Sequence, residues 1–231
     1  MRGNSTGGQA LPRGRRGVLP LLSIIQAAGW PIWTLIVCSV VGLALIIERA
    51  LSLRTARIVP PRLLDEAMQA SRAGVPPPAV VEQLAEHSLL GAVLAAGLHT
   101  LQVNPRATEA ELRAALESAG RLAAAQLQRY LGALGTVASA APLLGLLGTV
   151  IGMIEIFGSQ AGPGGLTPGG GNPAQLAHGI SVALYNTAFG LIIAVPALIF
   201  WRYYRARADA LLLQLEVAAE AFLHHLLALR R

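Results

Sequence analysis

The chain has 231 residues, of which 54% are apolar and 13% charged, with a net charge of +6. Several apolar runs exceed 18 residues, so composition excludes an ordinary soluble domain and points to a polytopic membrane protein. All 18 basic residues are arginine, which excludes chemistry that needs a lysine amine. They flank the apolar runs instead of forming one patch with interleaved aromatics, which excludes a nucleic-acid surface.

Residues 1–17 are rich in Gly, Ser and Arg and are expected to be disordered. Arg13, Arg15 and Arg16 followed by an apolar stretch mimic a signal peptide, but the run continues to Ile47, too long for a signal h-region. The expectation is an interfacial helix over 18–29 and a first membrane span over 30–48. Pro20 and Pro31 suit helix starts, and Trp30 and Trp33 suit the headgroup belt. The single cysteine, Cys38, lies inside this span and cannot form an intrachain disulfide.

Residues 49–133 read as a polar helical region. Pro76-Pro77-Pro78 opens one helix, Asn104-Pro105 breaks another, and Thr108-x-x-Glu111 is a capping box. No breaker follows Glu109 until Pro142, so an uninterrupted helix of about 70 Å is expected to run from solvent into the second span, 134–157. Pro142 removes a helical hydrogen bond and predicts a mild kink. A charge-free Gly/Pro loop occupies 158–174, a third span 175–200, and an amphipathic helical tail 201–231. The second and third spans form a hairpin, so the large loop and the tail share one side. That side carries 14 arginines, the hairpin loop none and the amino-terminal segment four. The positive-inside rule therefore puts the large loop and the carboxyl terminus in the cytoplasm. The amino terminus and the hairpin loop then face outward, to the periplasm if there is one.

Small residues mark one face of each later span. In the second, Ala141, Gly145, Gly148 and Gly152 follow i, i+4, i+7, i+11. In the third, Ala183, Thr187, Gly190 and Ala194 do the same. Lipid gives little hydrophobic drive between helices, so close approach across small residues supplies the packing. Thr149 and Thr187 stand near mid-span, with Asn186 beside the second. Each threonine hydroxyl can line a polar path or bond a carbonyl three or four residues back in its own helix. Asn186 should face the bundle interior, in a transport role or as a helix–helix hydrogen bond.

The stretches APLLGLLGTVIGM (Ala141–Met153), GISVALYNTAFGLIIAVPALIF (Gly179–Phe200) and SIIQAAGWPIWTLIVCSVVGLALIIERALSLR (Ser23–Arg54) together resemble the ExbB/TolQ/MotA family. These are channel-forming subunits of proton-driven motors in bacterial inner membranes, and the wording is most like the ExbB-like members. The resemblance spans roughly Val18 to Arg207. It implies an all-α, ring-forming membrane protein, pentameric, with three spans and long cytoplasmic helical extensions. It implies work with an ExbD-like single-span partner that supplies an aspartate, and with a TonB-like or Tol-type protein that passes the energy to outer-membrane transport. It also implies that Thr149 and Thr187 line the channel interior.

The carboxylates agree with that division of labour. No Asp or Glu occurs between Ile156 and Trp201, and the second span has only Glu155, near its outer end. A proton relay generally uses an ionisable group near mid-depth, so another subunit must bring it. ExbB and TolQ members often carry a glutamate five residues before the third-span threonine. Here that position is Val182, which puts proton coupling through it in doubt. Glu155 reads either as the outer mouth of the path or as an interfacial carboxylate in water. Glu48 and Arg49 read as boundary anchors. His224 and His225 are neighbours and make a poor metal pair, and Gly162–Gly171 lacks the Gly-Lys-Ser/Thr of a phosphate loop. No catalytic constellation is legible, so neither an enzyme nor a cofactor or metal is expected. The competing expectation is a structural scaffold that holds partner helices without passing protons.

Overall fold

The computed structural model describes residues 30–72, 74–160 and 173–229, with no side-chain description at 159, 160, 173–176, 178 and 182. The expected tail 1–17, the interfacial helix 18–29 and the loop Gly162–Gly171 therefore lie outside the described residues. Eight helices cover almost all of what is described. They are α1 (Pro31–Ser52), α2 (Thr55–Ile58), α3 (Leu63–Ser71), α4 (Pro78–His87), α5 (Leu89–Val103), α6 (Glu109–Gln128), α7 (Leu131–Gln160) and α8 (Pro173–Ala228). Three helical stretches are long and apolar enough to cross a membrane: Pro31–Ser52, Glu109–Gly158 and Gly179–Ala228. Under a third of each apolar window is buried, so most of that surface needs lipid or partner helices as its solvent.

The chain divides into two compact units, Met1–Ser39 with Ala140–Ala194, and Val40–Ser139 with Val195–Arg231. In the second unit the core is built from leucines at helical spacing. Leu90, Leu94 and Leu98 on α5, Leu112 and Leu116 on α6, and Leu211, Leu215 and Phe222 on α8 are almost fully buried. Burying each such side chain contributes about 1.5–3 kcal/mol, which is what holds these short helices that propensity alone would not. Local signals set their ends. Pro78 is the first residue of α4. Ser88 caps α5 by accepting from the Gly91 amide at 3.0 Å. Thr108 and Glu111 close both bonds of the capping box on α6.

The unbroken helix expected from Glu109 does not form. α6 stops at Gln128, Tyr130 adopts a left-handed φ of 62°, and α7 begins at Leu131. Sequence carries no breaker here, because neither Arg129 nor Tyr130 opposes a helix. Tertiary contacts supply the reason. The Tyr130 ring lies 5.4 Å from the Arg49 guanidinium and 4.7 Å from that of Arg129. Arg49 also donates to the Leu127 carbonyl at 3.3 Å, in the last turn of α6, where helices leave carbonyls to be satisfied from outside. The carboxyl-terminal part differs in the opposite sense. The third apolar run and the tail form one 56-residue helix, continuous through Pro196.

Candidate functional site

The seam between α7 and α8 in the first unit is built from absent side chains. A Cβ added at Gly145 would stand 2.7 Å from the Asn186 carbonyl oxygen and 3.0 Å from the Thr187 Cα. At Gly190 it would stand 2.7 Å from the Ala141 carbonyl oxygen and 3.2 Å from the Gly145 Cα. At Gly148 it would meet the Asn186 side chain at 2.8 Å, and at Gly152 the Ala183 Cβ at 3.1 Å. Real Cβ atoms essentially never come within 3.0 Å, so at Gly145 and Gly190 the two backbones touch only because these positions lack one. Ala141, Ala183 and Ala194 are buried. Gly179 extends the seam by a turn: its missing Cβ leaves room for Ile156 Cδ1 at 2.6 Å. The sequence reading passed over Gly179, although it stands four residues before Ala183 and the same spacing rule reaches it.

Two polar side chains enter this seam from α8. Asn186 is 2% exposed, which in an apolar helix pair demands hydrogen-bonded company. Thr187 is half-buried and donates its hydroxyl to the Gly145 carbonyl of α7, 3.3 Å away. The bond crosses between helices, unlike the local back-bond that a lone threonine usually makes. Gly145 makes it possible, since a side chain there would shield its own carbonyl and push α8 away.

Thr149 behaves differently. Its hydroxyl donates to the Leu146 carbonyl of its own helix at 2.7 Å. It lies on a shallow apolar groove with Val150, Met153, Ile154 and Phe157, on the flank of the seam and not in it. Glu155 is exposed. At about 100° per residue, Thr149 and Glu155 sit about 120° apart around α7, on opposite flanks of the glycine stripe. The structure thus brings Asn186, Thr187 and the small residues together, and leaves Thr149 and Glu155 on separate outward faces of this chain. The Val182 side chain lies outside the described residues.

In the second unit Arg49 is 2% exposed, a depth that its reading as a simple anchor did not foresee. Glu48 accepts from its Nε and Nη2 at 2.5 and 2.7 Å. Nearby, the Tyr204 hydroxyl donates to the Ile46 carbonyl at 3.1 Å, and Trp201 packs against Gly135, where a Cβ would stand 2.9 Å from the indole nitrogen. Among the described residues no group of three His, Cys, Asp or Glu side chains could hold a metal ion.

The comparisons with known proteins meet the same residues. The MotA/TolQ/ExbB proton channel family matches residues 85–217, which include α7 and the part of α8 that forms the seam. The chain is 33% identical over 168 residues to the putative biopolymer transport protein ExbB-like 3 of Synechocystis, covering 73% of this chain and 77% of that protein. It is 33% identical over 201 residues to the biopolymer transport protein exbB1 of Vibrio cholerae, covering 85% of this chain and 84% of the other. The Tol-Pal system protein TolQ of Haemophilus influenzae is 34% identical over 113 residues, about half of each chain. A three-span helical chain with a glycine seam, matched by the family over more than half its length and by relatives over most of it, belongs to the MotA/TolQ/ExbB proton channel family.

Proposed function

We propose that the chain is an ExbB-like subunit of an inner-membrane complex that couples the proton-motive force to work on a TonB-like or Tol-type partner. In this reading it assembles as a ring, pentameric by family resemblance, around an ExbD-like helix that supplies the mid-depth aspartate. The large loop and the carboxyl-terminal helix stand in the cytoplasm, and the amino terminus and the 158–174 loop stand outside. The observation that carries the reading is the seam itself. It offers Thr187 and Asn186 as hydrogen-bonding groups among glycines, in spans whose one carboxylate, Glu155, is exposed. From this lining the half-buried Thr187 can hydrogen-bond a partner carboxylate or a water, while Asn186 is enclosed between the two helices; neither can itself carry a proton through a pKa near neutrality.

The two threonines then have separate duties. Thr187 ties the hairpin together and holds its oxygen at the seam. Thr149 presents its oxygen on the outward flank, where a neighbouring subunit or the partner helix would meet it. Thr187→Val keeps the shape and removes the hydroxyl, as does Thr149→Val. Expression and assembly are expected to survive in both, and energy-dependent uptake to fall sharply. Uptake that stays normal in the double variant would overturn the lining role and favour a scaffold that passes no protons.

A further inference from the structure

Where α1 ends and α7 begins, the second unit holds a cleft of about 350 Å³. Its lining includes Glu48, Arg49, Ser52, Gln126, Arg129 and Tyr130. Two independent points of the chain mark this as a water–lipid boundary. The apolar run of α1 meets its first charges at Glu48 and Arg49, and the apolar run of α7 starts at Leu131, directly after Arg129 and Tyr130. The charges in the cleft are not all matched. Glu48 is committed to Arg49 through two hydrogen bonds, and Arg49 also donates to the Leu127 carbonyl and the Ser52 hydroxyl. The Arg129 guanidinium lies against the Tyr130 ring, and its side chain makes no hydrogen bond or ion pair among the described residues. The cleft therefore has two guanidiniums against one carboxylate, and the surplus cation is the exposed Arg129.

We propose that this cleft binds a phosphate group at the membrane boundary, as carried by the headgroup of an anionic phospholipid. A guanidinium grips phosphate oxygens with paired N–H donors, and the Arg129 guanidinium is held within 4.7 Å of the Tyr130 ring centre. Tyr130 and Gln126 line the same cleft, and a phenol hydroxyl and a side-chain amide are neutral donors. An aromatic ring with a polar tip suits headgroup depth, and the cytoplasmic leaflet supplies anionic lipid to basic clefts. The left-handed turn at Tyr130 acquires a role in this arrangement. It ends α6 where the headgroups begin and turns the ring between the two arginines. The inference rests on these helices spanning a membrane, and not on proton passage.

The test is native mass spectrometry of the full-length protein from detergent, offered phosphatidylglycerol or phosphatidylcholine. Arg129→Gln removes the surplus charge from an exposed position. Arg121→Gln, an exposed arginine lying outside this cleft, is the control. The expected result is preferential retention of phosphatidylglycerol, falling about fivefold in Arg129→Gln and unchanged in Arg121→Gln. Equal retention in Arg129→Gln and the unaltered protein, or equal retention of the two lipids, would overturn the site. Inorganic phosphate alone supplies the second arm. If it raises the Tm in an Arg129-dependent way while phosphatidylglycerol is not retained, the lipid source is overturned and the ligand is a soluble phosphate. Proton-driven uptake measured on the same variants separates this site from the channel reading, which does not require it.

Discussion

The two units solve helix packing in opposite ways. In the second, helices meet through large side chains, with Leu94, Leu112, Leu211 and Phe222 at 0% exposure. In the first, α7 and α8 meet through missing ones, with backbone against backbone at Gly145 and Gly190. The difference is the one expected if the leucine core is built in water and the glycine seam in lipid. In water, burying a large apolar side chain removes apolar area from solvent, and the hydrophobic effect rewards size. Between spans in lipid that reward is absent, and contact density decides, so small residues that admit close approach are favoured. Two glycines illustrate the contrast. A Cβ at Gly145 would strike backbone atoms, whereas a Cβ at Gly97 would meet Leu116 Cδ2 at 3.2 Å, the end of a side chain that can move; the second unit has its own backbone approach at Gly91, against the Leu84 carbonyl, where α4 meets α5.

Mutations can break this contrast. The largest effect is expected for Phe222→Ala, which leaves a cavity where the second unit has no exposure. A loss of about 3–5 kcal/mol is expected, read as a lowered Tm of the purified protein. A near-neutral result would mean that this unit is not held by its leucine and phenylalanine core. Gly145→Ala comes next, at about 1–3 kcal/mol, because the backbones must separate to admit one methyl group. Its partner experiment is Gly97→Ala, where Leu116 can give way. Helix propensity there gains about 1 kcal/mol, so the change should lie near zero. Equal losses at Gly97 and Gly145 would erase the distinction between the units.

The smallest effect belongs to Thr108→Ala. It removes the hydroxyl that accepts from the Glu111 amide and should cost about 1 kcal/mol. Hydrogen exchange is the sharper measurement, since protection should fall in the first turn of α6 and not in α7. Fraying that spread past Arg129 into α7 would mean that the two helices behave as one in spite of the turn between them.

Much of this molecule was legible in its sequence because the responsible forces are local or periodic. The length and hydropathy of three runs fix three helices able to cross a membrane, since the bilayer sets a minimum apolar length. Pro78 and Thr108 fix helix starts through bonds or ring geometry within three residues. The spacing of Gly145, Gly148 and Gly152 announces a close-packed face, because helical periodicity puts them on one side. What periodicity cannot give is the partner across that face. The same small stripe could have met a neighbouring subunit, and tertiary structure decided that its backbone lies against Asn186 and Thr187. It also separated the two threonines, which look equivalent as sequence: one hydroxyl crosses to another helix and one folds back on its own. The turn at Tyr130 was invisible for the same reason. Neither Arg129 nor Tyr130 is a helix breaker, and the groups gathered at that turn include Arg49, distant in sequence, whose contacts only the folded chain brings together.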